Sequence, residues 1–280
     1  MSTGYEPAKQ EAIRQWTADP CGSEIIAAPG TAEAIEQLIV GRWAYARWIG
    51  EALGYASTAG LDVLDVGCGQ GIDVVQYARA GARVTGIDLT ERHVELARSH
   101  VEALGLTAAI VQGDAEQLPL PDASFDRVSS NGVLHHTPDM PAALRQIHRV
   151  LRPGTGEARI IVYNRRSLHY WLSQVLLEGI VYRGLIEEGS MEGVLSRNVE
   201  LTSIDARPLV RVYSPPALRR MMREAGFADV RSSVGVFNVE DTPVSEVLAR
   251  HTHLLDSPGV RERIGRLGGW YVMGTGRRSR

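Results

Sequence analysis

The stretch VLDVGCGQGIDV, residues 63–74, decides the fold. It runs from apolar residues into Gly67, Gly69 and Gly71 at alternate positions and back into apolar residues. A glycine-rich turn between a first strand and a first helix is where an open α/β sheet accepts a nucleotide, because Cβ atoms would block the ligand's close approach. The dinucleotide fingerprint G-x-G-x-x-G would place its third glycine at position 72, which is Ile72 here. A phosphate-cradling loop would close on Gly-Lys-Ser/Thr, whereas this one continues into Asp73 and is preceded by Asp65. Those carboxylates would repel a phosphate. A ligand carrying adenosine and a cationic head without phosphate suits them, and S-adenosylmethionine, with its ammonium and sulfonium, has that character.

Outward from this loop, short apolar runs alternate with amphipathic segments, the signature of a parallel sheet wrapped by helices. LDVLDV (61–66), ARVTGID (82–88), AAIVQGD (108–114), FDRVSS (125–130) and EARIIVY (157–163) read as strands. The intervening segments read as helices: one ends at Gly81, the next runs from an N-cap at Thr90 to Gly105, and DMPAALRQIHRVLRPG shows helical apolar spacing. The rhythm breaks after residue 164. SLHYWLSQVLLEGIVYRGL reads as a long apolar helix, residues 186–212 as irregular, and the whole as an insertion. SPPALRRMMREAGF resumes with Ser214 as N-cap and proline at the first helical position, followed by strand candidates DVRSSVGVF and GWYVMGTG.

Three further positions fall at carboxyl ends of successive strands, where an adenosine needs them. Asp88 ends the second strand 23 residues after Asp65, placed to accept hydrogen bonds from both ribose hydroxyls. Asp114 ends the third, where a carboxylate can accept from the adenine amino group while the backbone at Ala115 reads the ring edge. Asn131 ends the fourth, near the transferable methyl. Asp73 reads as a charge favoured in the first turn of a helix rather than as a ligand.

With these residues in place, the sequence resembles the class I S-adenosylmethionine-dependent methyltransferases, and within them the small-molecule branch. VLDVGCGQG, VTGIDLT, GDAEQLPLPDASFDRVSSNGVLHH and LRQIHRVLRPG carry the resemblance, which is close over residues 58–164. It implies cofactor contacts from Asp65, Gly67, Gly69, Asp88, Leu89, Asp114, Ala115 and Asn131, and a Rossmann-like seven-stranded sheet with the last strand antiparallel. LRPGTGEARI departs from the usual Pro-Gly-Gly turn of the family. The expected organisation is an N-terminal helical cap over residues 1–57 and a methyltransferase domain over 58–280, with a cap insertion at about 165–213.

A cofactor that brings an activated methyl leaves the protein to place a nucleophile in line and exclude water. The acceptor is a small molecule with an oxygen, nitrogen or sulfur nucleophile. His135, His136, Tyr163 and Tyr213 are the nearest acceptors or relays for its proton. Trp43, Tyr45, Trp48, Tyr170, Trp171 and Tyr182 are candidates for the pocket lining, and Arg165, Arg166 and Arg211 for its mouth. The Asp, Asp-Asn set of magnesium-dependent catechol-type relatives is not supplied by SSNGVLHH and VYNRRS, so no metal is expected.

The chain has 280 residues, 44% hydrophobic and 22% charged, and a net charge of −3, which offers no pull toward nucleic acid or anionic membrane. Cys21 and Cys68 stand far apart, outside any metal-binding spacing. With no signal-peptide pattern at the start and no apolar run of membrane length, a cytoplasmic location without stable membrane association is expected. Oligomeric state stays open. Two rival readings share the sheet: an NAD(P)-linked oxidoreductase, which would also use Asp88, and a noncatalytic module that binds the cofactor without an acceptor.

Overall fold

The expected strands pair into one sheet: β1 (Asp62–Val66), β2 (Arg83–Asp88), β3 (Ala108–Gln112), β4 (Arg127–Asn131), β5 (Glu157–Tyr163), β6 (Phe227–Gly235) and β7 (Tyr271–Arg278). Their order is β3-β2-β1-β4-β5-β7-β6. The first five are parallel, and β7 runs antiparallel to both β5 and β6. The computed structural model describes residues 7–20, 28–200, 203–239, 242–253, 255 and 257–280. Cys21 lies outside them; Cys68 is a free, buried thiol.

The helices cover both faces. Leu144, Ile147 and Val150 of α6 (Met140–Val150), with Leu218 and Met222 of α9 (Pro215–Glu224), pack on Leu64, Val128 and Ile160 from one side. On the other, Ile35 and Leu38 of α2 (Ala32–Ala46), Val75 and Tyr77 of α4 (Ile72–Arg79) and Val94 and Val101 of α5 (Glu91–Ala103) pack on Val63, Val84 and Ile161. Covering from both sides explains the apolar run Ile160, Ile161 and Val162 in β5, whose alternate members enter the two opposite cores. Each fully buried aliphatic side chain contributes roughly 1.5–3 kcal/mol. Asp139, Thr90 and Ser214 accept from backbone amides at the starts of α6, α5 and α9, the last as expected from its Ser-Pro-Pro signature.

Two expectations change. Residues 186–212 are not wholly irregular. α7 (Gly184–Glu188) stops at Gly189, which has the left-handed φ of +70°, and α8 (Met191–Asn198) starts under the hydroxyl of Ser190, which accepts from Gly193. The long apolar segment before them forms a π-type helix over His169–Val181. Between β6 and β7, α10 (Pro243–His251) and α11 (Pro258–Gly268) form where no helix was expected. The insertion is tied to the sheet through a small core of Tyr170, Leu195, Val210 and Trp270. α1 (Pro7–Ala18) and α3 (Ile49–Leu53) complete the described helices on the N-terminal side.

Candidate active site

A cavity of about 260 Å³ opens at the carboxyl edge of the parallel strands. The glycine loop forms its floor. The Gly67 and Cys68 amides donate to the Ile87 carbonyl at 2.7 and 3.0 Å, and the Gly69 amide donates to Oδ2 of Asp88 at 2.9 Å. Gly67 has φ +74°, and a Cβ there would meet Val133 Cγ2 at 2.3 Å. At Gly69, φ is +52° and a Cβ would meet nothing within 4 Å, since that face looks into open space. The loop is therefore bare where a ligand approaches and rigid beneath.

Gly67, Gly69, Asp88, Leu89, Asp114, Ala115 and Asn131 all line the cavity. Asp65 and Gly71 do not. Gly71 caps α4 in the left-handed conformation. Asp65 is 1% exposed behind the wall, where Oδ1 accepts from Ser129 Oγ at 2.9 Å. Burial, reinforced by the charge of Asp73, holds its carboxyl well above the usual carboxylate range. The carboxylate that does reach the cavity is Asp73, read from sequence as a helix-start charge. It accepts from Arg42 Nη1 at 2.5 Å, from the Tyr55 hydroxyl, and from Asn131 Nδ2 at 3.2 Å. Asp73 thus sets the orientation of Asn131, and Arg42 itself lines the cavity.

Asp88 holds its position through Oδ1, which accepts from the Thr90 amide at 3.0 Å, the Thr90 hydroxyl at 2.9 Å and His93 Nδ1 at 3.1 Å. Burial works to raise its pKa, but these bonds, the charge of His93 and the Gly69 amide outweigh it and keep the group below its ordinary value. Asp114 differs from expectation in its partner. Oδ2 accepts from Lys9 Nζ at 2.8 Å and Oδ1 from the Glu116 amide at 2.8 Å, while Lys9 also pairs with Glu116. Lys9, Ala12 and Trp16 of α1 form the cavity's outer wall.

The proton-handling candidates separate. His136 and Tyr163 line the cavity, and His135 and Tyr213 do not. His135 is 0% exposed, with its ring 3.9 Å from Tyr163 and 4.1 Å from His136 between centroids. Burial, then the charge of His136, holds it well below the usual imidazole range. Tyr213 packs against the core on the α6 side, with its amide donating to the Tyr163 carbonyl. At the same end stands Glu200, which no pattern in the sequence marked. Its Oε1 accepts from the Tyr163 hydroxyl at 2.9 Å and lies 3.5 Å from His136 Nε2. His136 Nδ1 is 2.7 Å from the Leu209 carbonyl, to which it can only donate.

Of the aromatic candidates only Tyr45 lines the cavity. Trp43, Trp171 and Tyr182 are exposed, Tyr170 is in the insertion core, and Trp48 packs among the α2 and α3 side chains. Arg165, Arg166 and Arg211 are not in the wall; Arg211 instead bonds Glu192 and the Pro138 carbonyl.

Residues 64–156 match the sequence family described as "Methyltransferase domain". Over 191 residues the chain is 33% identical to the ubiquinone biosynthesis O-methyltransferase of Pseudomonas aeruginosa, an alignment covering 68% of this chain and 72% of that protein. The chain belongs to the S-adenosylmethionine-dependent methyltransferases. A 27-O-demethylrifamycin SV methyltransferase from Amycolatopsis mediterranei is 43% identical over 99 residues, 34% of this chain and 36% of that one. Among solved structures, a methyltransferase from Thermotoga maritima superposes with a TM-score of 0.53 at 18% identity, covering 89% of this chain and 97% of that one. The [4+2]-cyclase SpnF superposes at 0.53 and 20%, covering 97% and 93%. The two neighbours share a fold, and a fold alone does not fix chemistry.

The methyltransferase takes S-adenosylmethionine as its cofactor, and its cavity fits that molecule. Asp73, Asp88, Asp114 and Glu200 outnumber Lys9 and Arg42 in the lining, which favours a cationic ligand, and the Gly69 face leaves backbone uncovered.

Proposed function

We propose that this methyltransferase transfers a methyl group to a hydroxyl of a small-molecule acceptor. The observation that carries the reading is the Tyr163–Glu200–His136 cluster in the cavity wall, joined by the 2.9 Å bond and the 3.5 Å approach. In this reading Asp88 receives the ribose hydroxyls through Oδ2, Ala115 and Asp114 meet the adenine, Gly67 and Gly69 pass beside the amino-acid portion, and Asn131, held by Asp73, faces the methyl. Bound cofactor supplies an activated methyl on sulfur and leaves as a neutral thioether.

What the protein adds is placement and proton handling. A hydroxyl must lose its proton as it attacks, and His136 Nε2 and the Glu200 carboxylate are the acceptors within reach of the cavity. His136 is set for this because Nδ1 is committed to the Leu209 carbonyl, leaving Nε2 without a proton in the neutral ring. Trp16, edge-on to His136 at 5.6 Å, and Ala12 exclude water from that end.

Residues 1–57 and about 165–213 form the cap in this account, supported by Lys9, Trp16, Arg42 and Glu200 in the cavity wall. The relatives named as O-methyltransferases support oxygen as the attacked atom. No described helix is long and apolar enough to cross a membrane. A cytoplasmic location completes the reading, supported by the sparse cysteines. Incubation with methyl-labelled cofactor and a panel of phenols and alcohols tests it. We expect label in an ether product; label confined to amines or thiols overturns the hydroxyl assignment.

A further inference from the structure

His135 carries two buried ring nitrogens with no hydrogen-bond partner among the described residues. Such a group is costly, since a buried donor or acceptor gives up its hydration and gains no hydrogen bond in return. Its surroundings are also short of donors. In the neutral ring, with Nδ1 donating to Leu209, His136 Nε2 presents its lone pair toward the Glu200 carboxylate, another acceptor, 3.5 Å away. The Tyr163 hydroxyl donates to that carboxylate at 2.9 Å. Two imidazoles and a carboxylate converge, each able to offer one atom, with those atoms within 4.8 Å of one another.

We propose that His135, His136 and Glu200 form a binding site for a first-row divalent transition-metal ion at the acceptor end of the cavity. The supporting shell is already present. The His136 ring is oriented by the Leu209 carbonyl and the Glu200 carboxylate by the Tyr163 hydroxyl, the outer contacts that ligating histidines and carboxylates characteristically make. Two nitrogens and one carboxylate select zinc, iron or a similar ion over magnesium or calcium, which want an oxygen shell. On a tetrahedral ion with bonds of about 2.1 Å, donors sit roughly 3.4 Å apart, so the cluster closes by side-chain movements of about an ångström. His136 and Glu200 face the cavity, so coordination positions remain for an acceptor hydroxyl.

This rests on the hydroxyl-acceptor reading and specifies how the proton is lost. An oxygen bound to a divalent ion becomes far more acidic, so the acceptor hydroxyl would release its proton to solvent as it binds the ion and attack as an alkoxide or phenoxide. The new O–CH3 bond forms as the S–CH3 bond of the cofactor breaks to give the neutral thioether, and neither side chain has to carry the proton. Sequence spacing could not show the site, because Glu200 is 64 positions beyond His136 and enters from the insertion.

The full chain, stripped with chelator, is titrated with Co²⁺ and followed by visible absorption, with Zn²⁺ as competitor. We expect a d–d spectrum saturating at about one equivalent and displaced by Zn²⁺. His135→Gln and Glu200→Gln should each weaken it tenfold or more, while Gly69→Val, at the cofactor end, leaves it intact. The amide of Glu200→Gln still accepts from Tyr163, which keeps that variant folded. No saturable spectrum, or one indifferent to both substitutions, overturns the metal site. Methyl transfer to a hydroxyl that persists fully in chelator overturns it too, while leaving the functional reading standing. Loss of methyl transfer from a protein that still binds Co²⁺ as described points instead to the acceptor assignment.

Discussion

The amide of Gly69 donates to Oδ2 of Asp88 at 2.9 Å, so the glycine loop and the end of β2 are joined before any ligand arrives. The same carboxylate, which lines the cavity, spends Oδ1 on Thr90 and His93 and keeps its remaining capacity on Oδ2. Replacing Asp88 with Ala removes a charged acceptor and a loop tether together. Affinity for S-adenosylmethionine should fall by about 1.5–3 kcal/mol, roughly 10- to 150-fold, in calorimetric titration. A folded variant with unchanged affinity would dismiss the ribose assignment.

At the other end of the cavity, His136→Ala should slow single-turnover methyl transfer by about a hundredfold or more with cofactor affinity nearly intact, whether the ring takes a proton or holds a metal. His136→Gln should not restore the rate, because an amide keeps a hydrogen bond but replaces neither function. Rescue by Gln would make His136 a structural residue.

His100 gives a pH dependence with a defined sign. It is buried on α5, with Nδ1 2.9 Å from the Gln70 carbonyl and Nε2 accepting from the Gly30 amide at 3.0 Å. Burial lowers its pKa, only partly opposed by the Gln70 carbonyl. A histidine depressed in the folded state contributes stability that is full above the unfolded value of about 6.5 and is lost as pH falls through the folded value. Protonation also costs Gly30 its acceptor. The urea midpoint should therefore drop between pH 7 and 5, with the exchange protection of the Gly30 amide falling alongside. Protection that is equal at both ends of this range contradicts the account.

What the sequence made legible follows from where the constraints are local. The five parallel strands, the glycine loop, Asp88, Asp114 and Asn131 are marked by short runs: an apolar strand, a turn that needs bare backbone, a polar residue at the strand's end. Asp65 and Asp73 exchanged places because both flank the same loop, and only packing decides which carboxylate Ser129 draws behind the wall and which Arg42 and Asn131 draw into the cavity. His135 and His136 are adjacent, yet one is sealed under Tyr163 and the other faces the cavity. Lys9 and Glu200 are the long-range members, meeting the cavity from α1 and from the insertion with no periodicity to announce them. α10 and α11 were missed because no strand-helix rhythm leads into them.

The central claim is that the cavity above Gly69 holds S-adenosylmethionine, and equilibrium titration of the full chain tests it most directly. Wild type should bind one equivalent of S-adenosylmethionine and show no saturable binding of NADH. Gly69→Val, which places two methyls in the open space above the loop, should abolish the former while its far-UV circular dichroism stays near wild type. Saturable NADH binding, or normal S-adenosylmethionine binding by Gly69→Val, would contradict the account.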